Sequence, residues 1–277
     1  MTQTKVALVT GASRGIGKAT ALKLAEAGFD VAITARTERE GEGRADANSV
    51  RSEEAAVVIP GSLETTAAEI EARGRRALSV RMDLLDRDAV VAAPRLVLDH
   101  WGRIDVLVNN AIFQGGGTMD RILDLTGEAM ERLVRGNYVH QVLLTQRVVP
   151  HMVERGSGRI INMVSASVRI DPPAPPGAGG WGIGYSASKA AFGRVAGGLN
   201  AEFAERGVYA FNVDPGNVIT EKRRAVRAKD PFEDDFGSDP PEATGAVIAW
   251  LATADDAVRF VGKWNYAPKL AGDLKLL

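Results

Sequence analysis

The chain has 277 residues, of which 45% are apolar and 25% charged, with 34 basic side chains against 35 acidic ones. This length and composition predict a globular chain with a large hydrophobic core, and the balanced charge excludes a global field that would attract nucleic acid or an anionic membrane. With no cysteine and only His100, His140 and His151 as histidines, no metal site is expected. A small-molecule partner is the default expectation.

The amino-terminal residues enter an apolar, strand-like run almost at once, without the basic region, apolar stretch and small-residue cleavage site of a secretory signal. No apolar run approaches the ~18 residues that a membrane span requires. We therefore expect a cytoplasmic protein with no membrane partner.

Six short runs rich in β-branched and apolar residues alternate with longer segments of helical periodicity. The predicted strands are residues 5–10, 30–35, 77–83, 105–110, 158–165 and 208–213. Between the first two, a helical pattern ends at Gly28, and before the third, Ser62 is a suitable N-cap for a helix that stops at Gly74. Strands that are apolar on both faces and separated by helices predict a parallel sheet covered on both sides.

This alternation predicts an α/β fold, in which residues 1–277 form a single Rossmann-like domain with a doubly wound parallel sheet in three α/β/α layers. Such sheets bind ligands beyond the carboxyl ends of their strands. Three segments are longer than simple connectors need to be, at about 37–61, 166–184 and 221–241. Long loops in a compact domain are commonly functional lids or disordered excursions.

A glycine-rich turn, TGASRGIGKAT, follows the first predicted strand. Glycine at positions 11, 15 and 17 allows the backbone to turn tightly and to approach a pyrophosphate, which the N–H groups and dipole of the next helix would stabilise. An ordinary tight turn is the alternative, but the first strand–helix junction of an α/β chain favours a dinucleotide. The residues predicted to line the cofactor here are Gly11, Ser13, Arg14, Gly15, Ile16 and Gly17.

Six motifs occur in a set order along the chain. They are TGxxxGxG at 10–17, VLVNNA at 106–111, Asn137 in a helical segment, GRIINMVS at 158–165, YSASK at 185–189 and DPGNVIT at 214–220. In these motifs, over residues 4 to about 255, the chain resembles the short-chain dehydrogenase/reductase family. The resemblance implies an NAD(P)-dependent oxidoreductase acting on CH–OH or C=O groups, and a homo-oligomer, either a dimer or a tetramer.

The end of the second predicted strand bears on the choice of cofactor. Family members that use NAD usually carry an acidic residue there, which accepts hydrogen bonds from the ribose hydroxyls. This chain has Ala35 followed by Arg36, and Arg14 lies in the glycine turn, so two guanidinium groups can bind a 2′-phosphate. NADP(H) is the preferred cofactor and NAD(H) the second choice, unless both arginines are merely solvated. By resemblance, the remaining cofactor contacts would come from Asp83, Leu84, Asn110, Ala111, Tyr185, Lys189, Pro215, Gly216, Val218 and Thr220.

Tyr185 and Lys189 lie four positions apart, so a helix would place them on one face, one turn apart. Hydride transfer to a carbonyl needs a proton donor, and a neighbouring ammonium would lower the pKa of a tyrosine toward neutral pH. A serine hydroxyl would orient the carbonyl oxygen: Ser165 stands where the family has its serine, and Ser167, two positions on, is the alternative. By resemblance, Asn137 would hold a water bonded to Lys189 through its backbone carbonyl at a helix kink.

Substrate specificity is predicted to depend on two places. Ile112, Phe113 and Gln114 directly follow VLVNNA and would form part of the substrate wall. The serine and tyrosine of the predicted site are 20 positions apart, farther than is usual in the family, so the segment between them has extra length. We expect this proline-rich segment to bulge outward as an enlarged wall that places Trp181 near the catalytic tyrosine.

The segment 221–241 carries charges of both signs, which usually means solvation, although Arg223, Arg224 or Arg227 meeting an anionic substrate is the alternative. The predicted function is an NADP-dependent oxidoreductase that transfers a hydride between nicotinamide and the carbonyl or secondary alcohol of a small, largely apolar substrate. Reduction is favoured because cells keep the NADP pool reduced. The alternative is a catalytically silent dinucleotide-binding regulator or scaffold protein, which the intact serine, tyrosine and lysine set disfavours.

Overall fold

A parallel sheet lies at the centre of the computed structural model, which describes residues 4–45, 47–50, 57–227 and 239–277. Its strands are β1 (Val6–Thr10), β2 (Asp30–Ala35), β5 (Ala77–Arg81), β6 (Val106–Asn109), β7 (Gly158–Met163), β8 (Val208–Asp214) and β9 (Asn265–Tyr266). Across the described sheet the order is β5-β2-β1-β6-β7-β8-β9, and every neighbouring pair is parallel. Two further strands, β3 (Arg44–Ala45) and β4 (Val57–Val58), pair antiparallel outside this sheet.

Helices cover both faces of the sheet. They are α1 (Gly15–Glu26), α2 (Leu63–Glu71), α3 (Arg87–Trp101), α4 (Gly127–Val134), α5 (His140–Glu154), α6 (Ile183–Gly193), α7 (Val195–Phe203), α8 (Glu221–Arg227), α9 (Pro241–Thr253) and α10 (Ala267–Asp273). Alternate side chains of β1 point to opposite faces, so Ala7 and Val9 pack with α1, α2, α9 and α10, whereas Leu8 packs with α3, α5 and α7. The predicted three-layer α/β/α arrangement is confirmed.

The helix boundaries follow local sequence signals. The Ser62 hydroxyl accepts a hydrogen bond from the Thr65 N–H at 3.0 Å, and the Thr65 side chain accepts one from the Ser62 N–H, which forms a capping box at the start of α2. Asp86 caps α3 in the same sense, and Gly102, at φ 72°, ends that helix in the left-handed conformation. The predicted N-cap at Ser62 is therefore confirmed.

All three predicted long loops contain some regular structure: the segment 166–184 starts with a 3₁₀ turn, Ala166–Val168, and ends in the first residues of α6. Strands β3 and β4 lie within 37–61, and α8 occupies the start of 221–241. The rest of these predictions falls partly on residues 46, 51–56 and 228–238, which lie outside the described residues, as does the side chain of Arg227. All six predicted strands are present, and the additional β9 extends the sheet beyond β8 through only two residues.

Among the helices that the structure describes, none combines the length and the apolarity needed to cross a bilayer. The described acidic and imidazole side chains likewise form no group of three that could hold a metal ion.

Candidate active site

A cleft of about 520 Å³ opens at the carboxyl ends of the central strands. Every residue predicted to contact the cofactor lines it: Gly11, Ser13, Arg14, Gly15, Ile16, Gly17, Arg36, Asp83, Leu84, Asn110, Ala111, Tyr185, Lys189, Pro215, Gly216, Val218 and Thr220. They come together because parallel strands end at a common edge, where the loops that follow them meet.

The glycine turn between β1 and α1 is tightly packed. A Cβ at position 17 would lie 2.1 Å from the carbonyl oxygen of Gly11. Only glycine therefore fits at this position in the first turn of α1. The Asn110 side chain donates to the carbonyl of Thr10 at 2.8 Å, and the Thr10 hydroxyl accepts from the N–H groups of Asn110 and Ala111 at 3.0 Å. This turn holds the amino end of a twelve-residue helix against the cleft, an arrangement that fits the diphosphate of a dinucleotide.

Basic side chains gather at the end of β2. Arg36, which follows Ala35 at the end of β2, and Arg44 on β3 both line the cleft, and Asp83 is the only acidic residue among the described residues that line it. The Arg14 guanidinium also reaches the cleft wall, where it donates to the carbonyls of Pro60 at 2.7 Å and Gly61 at 2.6 Å. Arg14 therefore ties the long segment after β2 to the glycine turn, a role that its position in the motif did not predict.

Tyr185 lies in the first turn of α6, on the wall of the cleft. Burial raises the pKa of its phenol, and a hydrogen bond with the Ser165 hydroxyl opposes this rise. The buried hydroxyl of Ser167, the alternative serine, has no hydrogen-bond partner among the described residues. Ser165 is the N-cap of a short 3₁₀ turn, where its hydroxyl accepts from the Ser167 N–H at 3.3 Å.

Lys189 follows one turn later and is 4% exposed. Its ammonium donates to the carbonyl oxygen of Met163 at 2.8 Å, which anchors α6 to the end of β7. Burial lowers the pKa of Lys189 to about 8. The lowering of the Tyr185 pKa by Lys189 stays a prediction.

Asn137 is fully buried in a π-helical segment, Arg135–Val139, between α4 and α5. Such segments interrupt regular helices and are common at functional sites, and this one supplies the predicted kink. The side chain brackets one peptide: Oδ1 accepts from the Phe113 N–H at 2.7 Å, and Nδ2 donates to the Phe113 carbonyl at 3.1 Å. Nδ2 also contacts the Ser188 hydroxyl at 3.3 Å, and the Asn137 carbonyl accepts from Nε2 of Gln141 at 3.2 Å.

The substrate side of the cleft differs from the prediction in one respect. This part of the cleft is lined by the predicted residues Ile112, Phe113 and Gln114. It is also lined by Met163 and Val164. Trp181 does not line it, and no residue from 166 to 184 is among the lining residues. This segment therefore does not form the predicted cleft wall, and the predicted proximity of Trp181 to Tyr185 stays a prediction. The end of this segment turns toward another loop, because the N–H of the adjacent glycine at 182 donates to the carbonyl of residue 118 at 3.2 Å.

The long segment after β2 reaches the loop after β6. The N–H of residue 119 donates to the Asn48 carbonyl at 2.9 Å, and the Asp120 carboxylate accepts from the Val50 N–H at 2.9 Å. From α8, the Lys222 ammonium lies 3.0 Å from Oε1 of Gln114 and 3.5 Å from Oδ1 of Asn48. One cation thus links three segments that are far apart in the sequence, and all three contribute to the cleft wall.

Comparisons with known proteins agree with this geometry. The family model described as short chain dehydrogenase matches residues 5–61 and 39–231. The chain is 33% identical over 264 residues to a 3-oxoacyl-[acyl-carrier-protein] reductase of Synechocystis sp., covering 94% of this chain and 93% of that one. The chain belongs to the short-chain dehydrogenase/reductase family. It is an NAD(P)-dependent oxidoreductase acting on CH–OH or C=O groups.

Two solved structures of short-chain dehydrogenases resemble it over nearly the whole chain. A metagenomic short-chain oxidoreductase in complex with NADP is 28% identical, with a TM-score of 0.69 and coverage of 95% of both chains. A 3-oxoacyl-[acyl-carrier protein] reductase from Brucella melitensis in complex with NAD is 28% identical, with a TM-score of 0.75 and coverage of 96% of both chains. Both cofactors therefore occur among the structural relatives.

Several residues of this short-chain dehydrogenase contribute to its site without having been predicted. The additional residues that line the cleft are Ala35, Thr37, Arg44, Asn48, Ile59, Met82, Met163, Val164, Asn217 and Lys222. Arg223, which the sequence offered as a contact for an anionic substrate, also lines it. Met163 ends β7, whereas Met82 and Val164 directly follow β5 and β7, so all three could have been found from their position at strand ends. Asn48, Ile59 and Arg44 belong to a long segment whose path the sequence does not specify.

Proposed function

We propose that the protein is an NADP(H)-dependent reductase of a small, largely apolar carbonyl compound, with Tyr185 as the proton donor. The observation that carries this proposal is geometric: Tyr185 and Lys189, one helical turn apart on α6, line the same cleft as the glycine turn. A phenol positioned in this way can donate its proton to a developing alkoxide. The name of the Synechocystis relative, a reductase, is consistent with this direction.

The preference for NADP(H) over NAD(H) rests on charge at the end of β2. Arg36 and Arg44 line the cleft there, and β2 ends at Ala35 rather than at a carboxylate. A guanidinium pairs well with a 2′-phosphate, whereas an acidic side chain at this place would repel it. We therefore assign the 2′-phosphate to Arg36 and Arg44, with Arg14 holding the neighbouring loop.

The chain's own residues divide the remaining work. The bound nicotinamide supplies the hydride in reduction and accepts it in oxidation. Ser165 orients the carbonyl oxygen through its hydroxyl, and Tyr185 transfers the proton to that oxygen. Lys189, anchored to the Met163 carbonyl, holds α6 against the sheet and keeps a positive charge beside the cofactor. Asn137 fixes the Phe113 peptide, which is part of the substrate wall.

The wall around the reacting carbon is mostly apolar. Ile112, Phe113, Met163 and Val164 surround this part of the cleft, and sites of this composition bind substrates largely through burial of apolar surface. By resemblance to the family, we also propose a single domain that assembles as a dimer or a tetramer, which sedimentation analysis tests.

The test is turnover with NADPH over a panel of ketones and aldehydes, for wild type and for Tyr185→Phe. We expect wild type to reduce at least one class of carbonyl compound and Tyr185→Phe to lose at least about a hundredfold in kcat, the usual contribution of a positioned proton donor. Full turnover by Tyr185→Phe would refute the role of the tyrosine. NADPH binding without reduction of any carbonyl compound would favour a catalytically silent regulator.

A second measurement tests the cofactor assignment. Arg36→Ala should weaken the binding of NADPH more than tenfold and leave that of NADH nearly unchanged, since one charge-assisted contact with a phosphate is worth about 1.5–3 kcal/mol. The exposed Arg95, which pairs with Asp99 on α3 away from the cleft, provides the matched control. Equal losses for the two cofactors would contradict the assignment.

A further inference from the structure

We propose that Asp120 is a positioning residue that joins the phosphate side of the cleft, around Arg36 and Arg44, to the substrate wall, so that a cofactor with a 2′-phosphate tightens that wall. This inference rests on the proposed assignment of the 2′-phosphate to these two arginines. Asp120 belongs to none of the sequence motifs and is not among the residues that line the cleft, so it acts through other residues.

The first support is the burial of the Asp120 carboxylate. Asp120 lies in the loop after β6 and is only 2% exposed. Its Oδ1 accepts a hydrogen bond from the Ser49 hydroxyl, and its Oδ2 accepts from the N–H groups of Val50 at 2.9 Å and Gly117 at 2.6 Å. Burying a carboxylate is costly unless donors surround it, so these contacts hold the loop and the segment after β2 together.

The second support is that other groups strengthen the same contact. The Met119 N–H donates to the Asn48 carbonyl at 2.9 Å. A Cβ at position 116 would lie 2.9 Å from Cγ1 of Val50, which shows how closely the two chain segments pack. Residues 48–50 and 116–120 thus form one contact, which we call the junction.

On one side, the junction continues into the phosphate side of the cleft. Asn48 lines the cleft, and so does Arg44, which precedes it by four positions and lies on β3. The hairpin of β3 and β4 is closed further by the Ile59 N–H, which donates to the Gly43 carbonyl at 3.0 Å. A phosphate bound to Arg44 would therefore restrain the backbone that leads into the junction.

On the other side, the junction continues into the substrate wall. Phe113 and Gln114 line the cleft and are followed by a turn from Gly115 to Thr118. The N–H and the hydroxyl of Thr118 both donate to the Gly115 carbonyl, at 3.1 and 2.7 Å. Because this turn is short and closed by hydrogen bonds, a displacement of the junction would also displace the substrate wall.

The consequence is a linkage between the two ligands. A 2′-phosphate bound at Arg44 reduces the freedom of the segment after β2, and the junction passes this restraint to the substrate wall. The wall is then held in its binding conformation for a larger fraction of the time. A carbonyl compound should therefore bind more tightly beside NADPH than beside NADH.

The experiment measures hydrogen exchange of the amides of residues 112–120 by mass spectrometry, with saturating NADP⁺ or NAD⁺. Asp120→Asn keeps the shape of the side chain but replaces one acceptor oxygen by an NH₂ group, which cannot accept a hydrogen bond. Asp30→Asn is the matched control, because Asp30 is 1% exposed and accepts from the Arg76 N–H at 3.1 Å and from Nη2 of Arg75 at 2.7 Å. As the first residue of β2, it lies at the edge of the sheet opposite the cleft.

The readout is the ratio of the exchange rates with the two cofactors, after calorimetry has verified that both saturate each protein. A general loss of stability does not remove such a ratio. In wild type and in Asp30→Asn, we expect NADP⁺ to slow the exchange about fivefold more than NAD⁺ does, the lower end of the usual coupling between two sites. In Asp120→Asn, the ratio should fall close to one.

Steady-state kinetics provide a second readout. In wild type, KM for a carbonyl compound should be lower with NADPH than with NADH by a similar factor. Asp120→Asn should lose this difference while kcat changes less. Equal exchange with both cofactors in wild type, an unchanged ratio in Asp120→Asn, or loss of the ratio in Asp30→Asn overturns the inference. Failure to find any reducible carbonyl compound would instead overturn the proposed function and leave the exchange result standing.

A milder variant covers the case in which Asp120→Asn does not fold. Ser49→Ala removes one donor to Asp120 and leaves the two N–H donors in place. It should lower the exchange ratio part of the way toward one. A ratio equal to that of wild type would refute the role of the junction.

Discussion

Replacing Asn137 by alanine should uncouple the substrate wall from the catalytic helix. The side chain is fully buried and brackets the peptide of Phe113, with a third, longer contact to Ser188 on α6. Asn137→Ala leaves the Phe113 N–H and carbonyl without partners inside the protein, and each stranded polar group costs about 1–2 kcal/mol. We expect a loss of about 2–4 kcal/mol in the free energy of unfolding, or roughly 3–7 °C in Tm for a chain of this size.

The kinetic consequence should appear mainly in KM for the carbonyl compound, because Phe113 lines the cleft on the substrate side. Asn200→Ala is a matched control: this asparagine brackets the Ala210 peptide in the same way, at 2.8 Å for both hydrogen bonds, but far from the cleft. It should lower Tm and leave KM unchanged. Thermal unfolding and steady-state kinetics with NADPH test both variants. An unaltered Tm in Asn137→Ala, or an equal rise in KM in Asn200→Ala, would refute the reasoning.

Two further outcomes follow from close packing and from buried charge. Gly17→Ala places a methyl group 2.1 Å from a carbonyl oxygen of the glycine turn. We expect this variant to lose at least tenfold in NADPH affinity, measured by calorimetry. Gly198→Ala, in open space on α7, is the control and should not change that affinity. The Asp105 carboxylate is bonded to Arg103 and Arg155, and these contacts lower its pKa in spite of burial. These ion pairs therefore stabilise the folded protein above the pKa of Asp105 in the unfolded chain, about 3.9. This stabilisation is lost as the pH falls through the lower pKa that Asp105 has in the folded protein. At pH 7, Asp105→Asn should therefore have a lower free energy of unfolding than wild type, and this difference should shrink in acid. Urea titrations at several pH values measure it. An equal difference at all pH values would argue against the ion pairs.

The strands and the main helices could be predicted because their signals are local. Buried parallel strands are continuous apolar runs, and helices end where glycine or a capping side chain makes ending favourable. Strand β9 gives no such signal, since two residues, Asn265 and Tyr266, form it only by pairing with the edge of β8. The same holds for β3 and β4, whose pairing depends on the path of the long segment around them.

The candidate site, too, could be predicted from the sequence only in part. Because Tyr185 and Lys189 are one helical turn apart, and because the glycine turn directly joins a strand to a helix, the sequence by itself determined that these residues would meet at one edge of the sheet. Only the tertiary structure decided that Lys222 meets Asn48, which is 174 positions away, and that residues 166–184 do not line the cleft. Spacing along the chain specifies neighbours within one element, but contacts between distant segments depend on how separate elements pack.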